Sequence, residues 1–408
     1  MADPRALLRK YSEIYTVFLP LCGVFLVVYT IMLTFGSRQS LYSPDFPIDD
    51  SDTLLFLHRS LVSLPSVTTH EHAVAEFLQT YLTSNGWVVE IQPVSTNPIR
   101  ENVFAYRGSQ RNTRLLLTSH IDTVPPFIEY SVHDGYIWGR GSVDAKASVA
   151  AQITAAQDLL SSNAVESEGD ISLLFVVGEE TDGIGMTMAN ELGLSWETVI
   201  FGEPTELKLA VGHKGLIIAD LYATGKASHS GYPDLGINAN YYLVEALYDL
   251  QNSDYPYSER LGNTTFNAGR LEGGVAANVI PAFATAGITV RVAEDLDGVV
   301  SQMQRAVQGI PHLDLNITLT YPPVLCDYDV AGFDTVAVAY GTDIPHLEGS
   351  HKRYLYGPGS ILFAHAENER ISETELRDSV DGYKKLAVAA LGGTHGSTSD
   401  VKELVRQE

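Results

Sequence analysis

The stretch Ile171-Ser-Leu-Leu-Phe-Val-Val-Gly-Glu-Glu-Thr-Asp182 runs from an apolar segment straight into acid. An unbroken apolar run of this length reads as a buried strand. Glu179 and Glu180 then stand at its end, where two carboxylates must be solvated, paired or metallated, because an unpaired buried charge is costly. One could bind metal while the other moves protons. Outward from this strand, helical spacing holds over 145–160, and strand-like runs cover 87–91, 102–106 and 114–118. Thr68-Thr-His-Glu71 has the form of a capping box, and Ala73, Phe77, Leu78, Tyr81 and Leu82 keep a helical period until Asn85-Gly86 stops it. Strands alternating with helices predict an α/β architecture.

From Val211 the texture changes. Strands are expected over 216–223, 263–271, 285–292 and 313–321, with a helix around 237–250, so a smaller α+β unit is inserted before the first style resumes at Thr335–Tyr340 and in a helix over 373–391. The expected division is a catalytic domain in two parts, 51–211 and 322–408, interrupted by the unit 212–321.

The chain has 408 residues, 45% of them hydrophobic, enough for a large core. Fifty acidic against 26 basic side chains give a net charge of -24, which opposes binding to nucleic acid and favours small substrates. Ile14–Phe35 carries no charged residue and is long enough to span a bilayer. Arg5, Arg9 and Lys10 precede it and Asp45, Asp49, Asp50 and Asp52 follow, so the positive-inside rule puts 1–13 in the cytosol, 14–35 across the membrane as a signal-anchor and 36–50 as a linker. The rest would be lumenal, in a vacuole or the secretory pathway, or extracellular; a cleaved signal and a secreted product is the alternative. Asn263-Thr-Thr and Asn316-Ile-Thr fit the glycosylation pattern. With only Cys22 and Cys326, no disulfide framework is expected.

Chemistry concentrates at a few points. In Leu115-Leu-Leu-Thr-Ser-His120-Ile-Asp122, residues two apart on an extended segment share a face, so Asp122 could orient the ring of His120. Gly139-Arg-Gly-Ser-Val-Asp144-Ala-Lys146 brings Asp144 to a helix start as a cap or a ligand, with Arg140 and Lys146 bracing its loop. Gly202-Glu203-Pro204 supplies another strand-end carboxylate, and the Gly357-Pro-Gly359 turn leads to His365.

Taken in order, these motifs resemble the co-catalytic zinc amidohydrolase family of acetylornithine deacetylase, succinyl-diaminopimelate desuccinylase, aminoacylase and the glutamate and vacuolar carboxypeptidases. The resemblance implies a zinc-peptidase-like catalytic domain, a mixed sheet flanked by helices, with an inserted α+β dimerisation domain, and hence a homodimer. It implies two zinc ions per subunit, with cobalt an alternative: one held by His120, Asp144 and Glu203, the other by Asp144, Glu180 and His365. Glu179 remains as general base, Asp122 as orienter of His120, and the Asp144–Ala145 peptide is expected to be cis. His229, in Gly225-Lys-Ala-Ser-His-Ser-Gly231, matches the histidine that stabilises the oxyanion from the partner subunit. Asn278, Arg291 and Gly359 match substrate-binding positions. The expected activity is hydrolysis of an amide in a peptide or N-acyl amino acid, with an acetylornithine-deacetylase-like deacylase as alternative. A catalytically inactive binding ectodomain is the reading from another class; all the ligand positions being occupied argues against it.

Overall fold

The computed structural model describes residues 52–392, so the apolar segment 14–35 and its linker lie outside the described residues. Among the described residues no helix is long and apolar enough to cross a membrane.

A six-stranded mixed sheet forms the frame, in the order Val88–Thr96, Ile99–Tyr106, Ile171–Val176, Leu115–His120, Thr198–Gly202 and Lys352–Tyr356. The first two strands form an antiparallel hairpin, and the last four run parallel. The three central strands are buried along their whole length. Their alternation feeds two cores. Leu115, Leu117, Leu173 and Phe175 point into a layer shared with Leu57, Leu78, Ile153 and Tyr383, while Leu116, Leu174 and Val176 meet Met186, Trp196 and Leu355 on the other face. This explains the unbroken apolar runs: with both faces covered there is no polar side to alternate with. The helices Thr53–Ser63, His72–Ser84, Lys146–Ser161 and Glu373–Ala390 contribute to the first layer.

A four-stranded antiparallel sheet opens at Gly215 and closes at Tyr321, in the order Thr265–Gly273, Phe283–Val292, Gly215–Thr224 and Leu313–Tyr321. Ile217, Ala219 and Leu221 on one strand, and Ala286, Ile288 and Val290 on its neighbour, face the helices Ala239–Gln251 and Leu296–Val307. The alternate residues face outward.

One expectation about local structure fails. Helix His72–Ser84 is preceded by Glu71 with no side-chain cap, because Thr68 Oγ1 donates to Asp122 Oδ2 at 2.8 Å and Glu71 takes Arg100 in a buried ion pair. The apparent capping box is part of the site's support. Of the two readings of Asp144, the cap is not realised: the helix Lys146–Ser161 starts after Ala145 without a side-chain cap, and the carboxylate of Asp144 faces His120 and His365. The helices Thr53–Ser63 and Leu296–Val307 and the strand Lys352–Tyr356 were not expected from the sequence.

Candidate metal centre

The four parallel strands bring their carboxyl ends to one edge, where side chains from separate segments converge. His120 is the last residue of its strand, Glu203 follows Thr198–Gly202, and Glu179 and Glu180 follow Ile171–Val176. Gly178 makes the turn between strand and acids at φ 85°, where a Cβ would lie 2.7 Å from Arg100 Nη2. Lys352–Tyr356 leads through Gly357 and Gly359 to His365, which itself has φ 62°.

Asp144 is the centre of the group. Its Oδ1 lies 3.1 Å from His120 Nε2 and its Oδ2 3.3 Å from His365 Nε2. His120 Nε2 is also 3.7 Å from Glu203 Oε1, and His365 Nε2 is 2.9 Å from Glu180 Oε2. Each imidazole therefore faces Asp144 and one further glutamate. Donor atoms of His120, Asp144 and Glu180 lie within 4.8 Å of one another. The Asp144–Ala145 peptide is cis, as the resemblance implies.

Asp122 is fully buried and does more than orient a ring. His120 Nδ1 lies 3.1 Å from the backbone carbonyl of Asp122 and 3.6 Å from its Oδ1. The carboxylate instead accepts the backbone N–H of Glu179 at 3.1 Å, that of Glu180 at 3.3 Å and the hydroxyl of Thr68. One side chain thus registers the histidine-bearing strand against the two-glutamate loop.

The electrostatics show what the group lacks. Burial drives the Glu179 and Glu203 carboxyls well above the usual range, and Asp343, unassigned by any motif, is pushed up to about 7 by burial despite the His120 charge. Burial acts in the same sense on Asp144, but hydrogen bonds from His120 and His365 hold it far below normal. His365 is raised to about 10, chiefly by Asp144 and then Glu180. Asp343 Oδ1 is buried without a hydrogen-bond partner among the described residues. Two imidazoles against Asp144, Glu179, Glu180, Glu203 and Asp343 leave a surplus of acid that draws positive charge. Nitrogen and carboxylate oxygen donors converging from both sides of one aspartate suit divalent zinc.

The substrate-facing motifs lie elsewhere. His229 and Asn278 are exposed on adjacent loops of the smaller sheet unit, joined where Ser230 N–H donates to the Asn278 carbonyl at 3.0 Å and His229 bridges Val279. Among the described residues, neither pairs with the carboxylates of the site. Arg291 is half-buried on Phe283–Val292 with no carboxylate partner among the described residues; burial lowers its pKa, and its charge acts on the neighbouring His213 and Lys214. Gly359 sits at φ 77°, where a Cβ would come within 2.3 Å of Val143 Cγ2. Asn263 and Asn316 are both exposed. Thr68, Tyr340, Asp343 and Glu369 are the residues around the site that sequence reasoning missed. Tyr340 donates its hydroxyl to the Pro204 carbonyl beside Glu203 at 2.9 Å.

Residues 211–312 match the peptidase dimerisation domain of M20 peptidases, and residues 102–202 match peptidase family M28. A peptidase M20 domain-containing protein of Schizosaccharomyces pombe is 50% identical over 340 residues, covering 83% of this chain and 84% of its own length. The chain belongs to the M20 peptidase family. A probable carboxypeptidase of Aspergillus flavus is 45% identical to this M20 peptidase over 389 residues, 84% of this chain and 92% of its own. The solved structure of aminopeptidase PepT from Bacillus cereus has a TM-score of 0.70 at 20% identity, covering 83% of this chain and 98% of that one, a likeness of fold.

Proposed function

We propose that this M20 peptidase is a di-zinc carboxypeptidase that releases an amino acid from the carboxyl end of a peptide. The observation that carries the reading is Asp144, whose two oxygens each face a different imidazole while Glu179, among the described residues, has no histidine within ion-pair distance. His120, Asp144 and Glu203 would hold one ion, and Asp144, Glu180 and His365 the other. When bound, zinc polarises the amide carbonyl and lowers the pKa of an attacking water toward about 7. Glu179, its proton affinity raised by burial, receives the water's proton on its carboxylate and passes it to the leaving nitrogen. His229 of the partner subunit donates to the oxygen that becomes negative. The guanidinium of Arg291, without a carboxylate partner among the described residues, takes the substrate's α-carboxylate, with Asn278 and the Gly359 turn positioning the scissile bond. The relatives named as probable carboxypeptidases favour this reading over that of an acetylornithine-type deacylase.

The test is a panel of peptides and N-acyl amino acids with free or amidated carboxyl ends. Release of the C-terminal residue from free-acid peptides, its loss on amidation or chelation and its return with zinc are expected. Two bound zinc ions with no hydrolysis of any amide would sink the proposal.

The segment 14–35 is proposed to anchor the enzyme, with the catalytic part lumenal or extracellular. Both Asn263 and Asn316 would then be open to glycosylation. Carbonate-resistant membrane association and a glycosidase-sensitive mobility that disappears in an Asn263→Gln, Asn316→Gln variant are expected; a soluble, unshifted protein contradicts it.

A further inference from the structure

Asp144 and His365 reach the centre from different parts of the chain, and one buried side chain joins them. Glu369, only 1% exposed, lies four residues beyond His365. Its Oε1 accepts the backbone N–H of Gly141 at 2.8 Å, of Val143 at 3.3 Å and of Asp144 at 3.4 Å. Its Oε2 takes Arg140 Nη1 at 2.5 Å, and its backbone carbonyl accepts from Gly139 N at 3.2 Å. Arg140, also buried, donates to the carbonyls of Ala366 and Pro126. The Gly139–Asp144 loop is therefore tied to the segment after His365 by side chain and backbone together. The strand Arg370–Ser372 extends the tie by pairing with Tyr136–Trp138.

The two proposed ion sites differ in how they depend on this tie. His120 and Glu203 are fixed by adjacent parallel strands whose pairing does not involve the loop. His365 is exposed, with φ 62°, and among the described residues its ion-pair partners are Asp144 and Glu180. Its distance from Asp144 is set largely by how the loop and the segment after it are held together.

We infer that Glu369 is a positioning residue that holds the Asp144 loop against the His365 segment and so sets the affinity of the second metal, the one shared by Asp144, Glu180 and His365. The inference rests on the two-metal reading. Its mode is reach rather than charge: the carboxylate must extend far enough to collect three backbone N–H groups. Glu369→Asp keeps the charge and retracts the acceptor by one methylene. Glu369→Gln combined with Arg140→Met keeps an acceptor at full reach and leaves no unpaired buried charge.

The experiment is zinc titration of chelator-stripped full-length protein against a chromophoric competitor, with thermal midpoints measured in parallel. For Glu369→Asp the second zinc is expected to bind about 10- to 100-fold more weakly, the usual cost of disturbing a group behind a metal ligand, while the first, which shares Asp144 but keeps His120 and Glu203 on their strands, weakens less. The double variant is expected to retain both ions with near-native affinity. Two equally tight ions in Glu369→Asp, or equal weakening of both, would overturn the inference. Should that variant not fold, the double variant decides: retention of both ions supports reach as the mode, and loss of the second overturns it. A wild-type protein that binds fewer than two zinc ions would remove the two-metal reading and this inference with it. Two ions in the wild type with unaltered variants would remove the inference alone.

Discussion

Glu179 and Glu180 differ by one peptide unit but point to different tasks. Glu180 faces His365 at 2.9 Å, whereas Glu179 has no histidine at ion-pair distance among the described residues, and Asp122 holds the backbone of both. A carboxylate committed to a metal is a poor proton carrier, so the two cannot exchange roles without cost. Glu179→Gln should bind zinc like the wild type and lose about 10³-fold in kcat, checked by metal content and steady-state rates. A variant that loses zinc and keeps turnover would reverse the assignments. At this scale much of the site was legible, because His120, Asp144, Glu180, Glu203 and His365 lie next to strand ends or glycine turns that the sequence displays. Thr68 was legible only as a cap, since its hydroxyl serves a residue 54 positions away. Asp343 and Tyr340 gave no signal, as each reaches the site from a segment whose local pattern is ordinary.

The central strands were read well because an apolar run covered on both faces is visible without knowledge of its neighbours. Leu116→Ala and Leu117→Ala should each cost about 2–5 kcal/mol although they empty different cores, measurable by denaturant unfolding. The helix Thr53–Ser63 was invisible, yet it carries a buried histidine. His58 Nε2 lies 2.8 Å from the Ser142 carbonyl, and burial lowers its pKa to about 4. The folded state therefore binds fewer protons than the unfolded state between pH 6.5 and 4. The contribution of neutral His58 is complete above about pH 6.5 and falls by up to about 3 kcal/mol as pH drops toward 4. Unfolding curves at pH 7 and pH 5 should converge in His58→Gln relative to the wild type. An unchanged pH dependence would assign the loss to other groups, such as His213 and His351, whose pKa values burial also lowers to about 4.

At the scale of the molecule, the smaller sheet leaves two features uncovered. On the helix Ala239–Gln251, Leu243, Ala246 and Leu250 face the core, while Tyr241, Val244 and Tyr248 form an exposed stripe at helical spacing. Among the described residues the strand Thr265–Gly273 is an edge with one neighbour, and Leu271 on it is also exposed. An unpaired edge beside an apolar stripe favours association with a second copy, in which both would be covered symmetrically. Because His229 is exposed and pairs with none of the site's carboxylates among the described residues, such a dimer has a catalytic consequence. Val244→Arg combined with Tyr248→Glu should elute as a monomer, keep its zinc and lose about 10²-fold or more in kcat, the usual cost of removing an oxyanion donor. Mixing His229→Ala with Glu179→Gln then separates the routes. If His229 acts across the dimer, each heterodimer contains one site with both an intact base and an intact donor, and activity returns on subunit exchange. If it acts within its own chain, no combination of the two restores a site, and the mixture stays as inactive as its components.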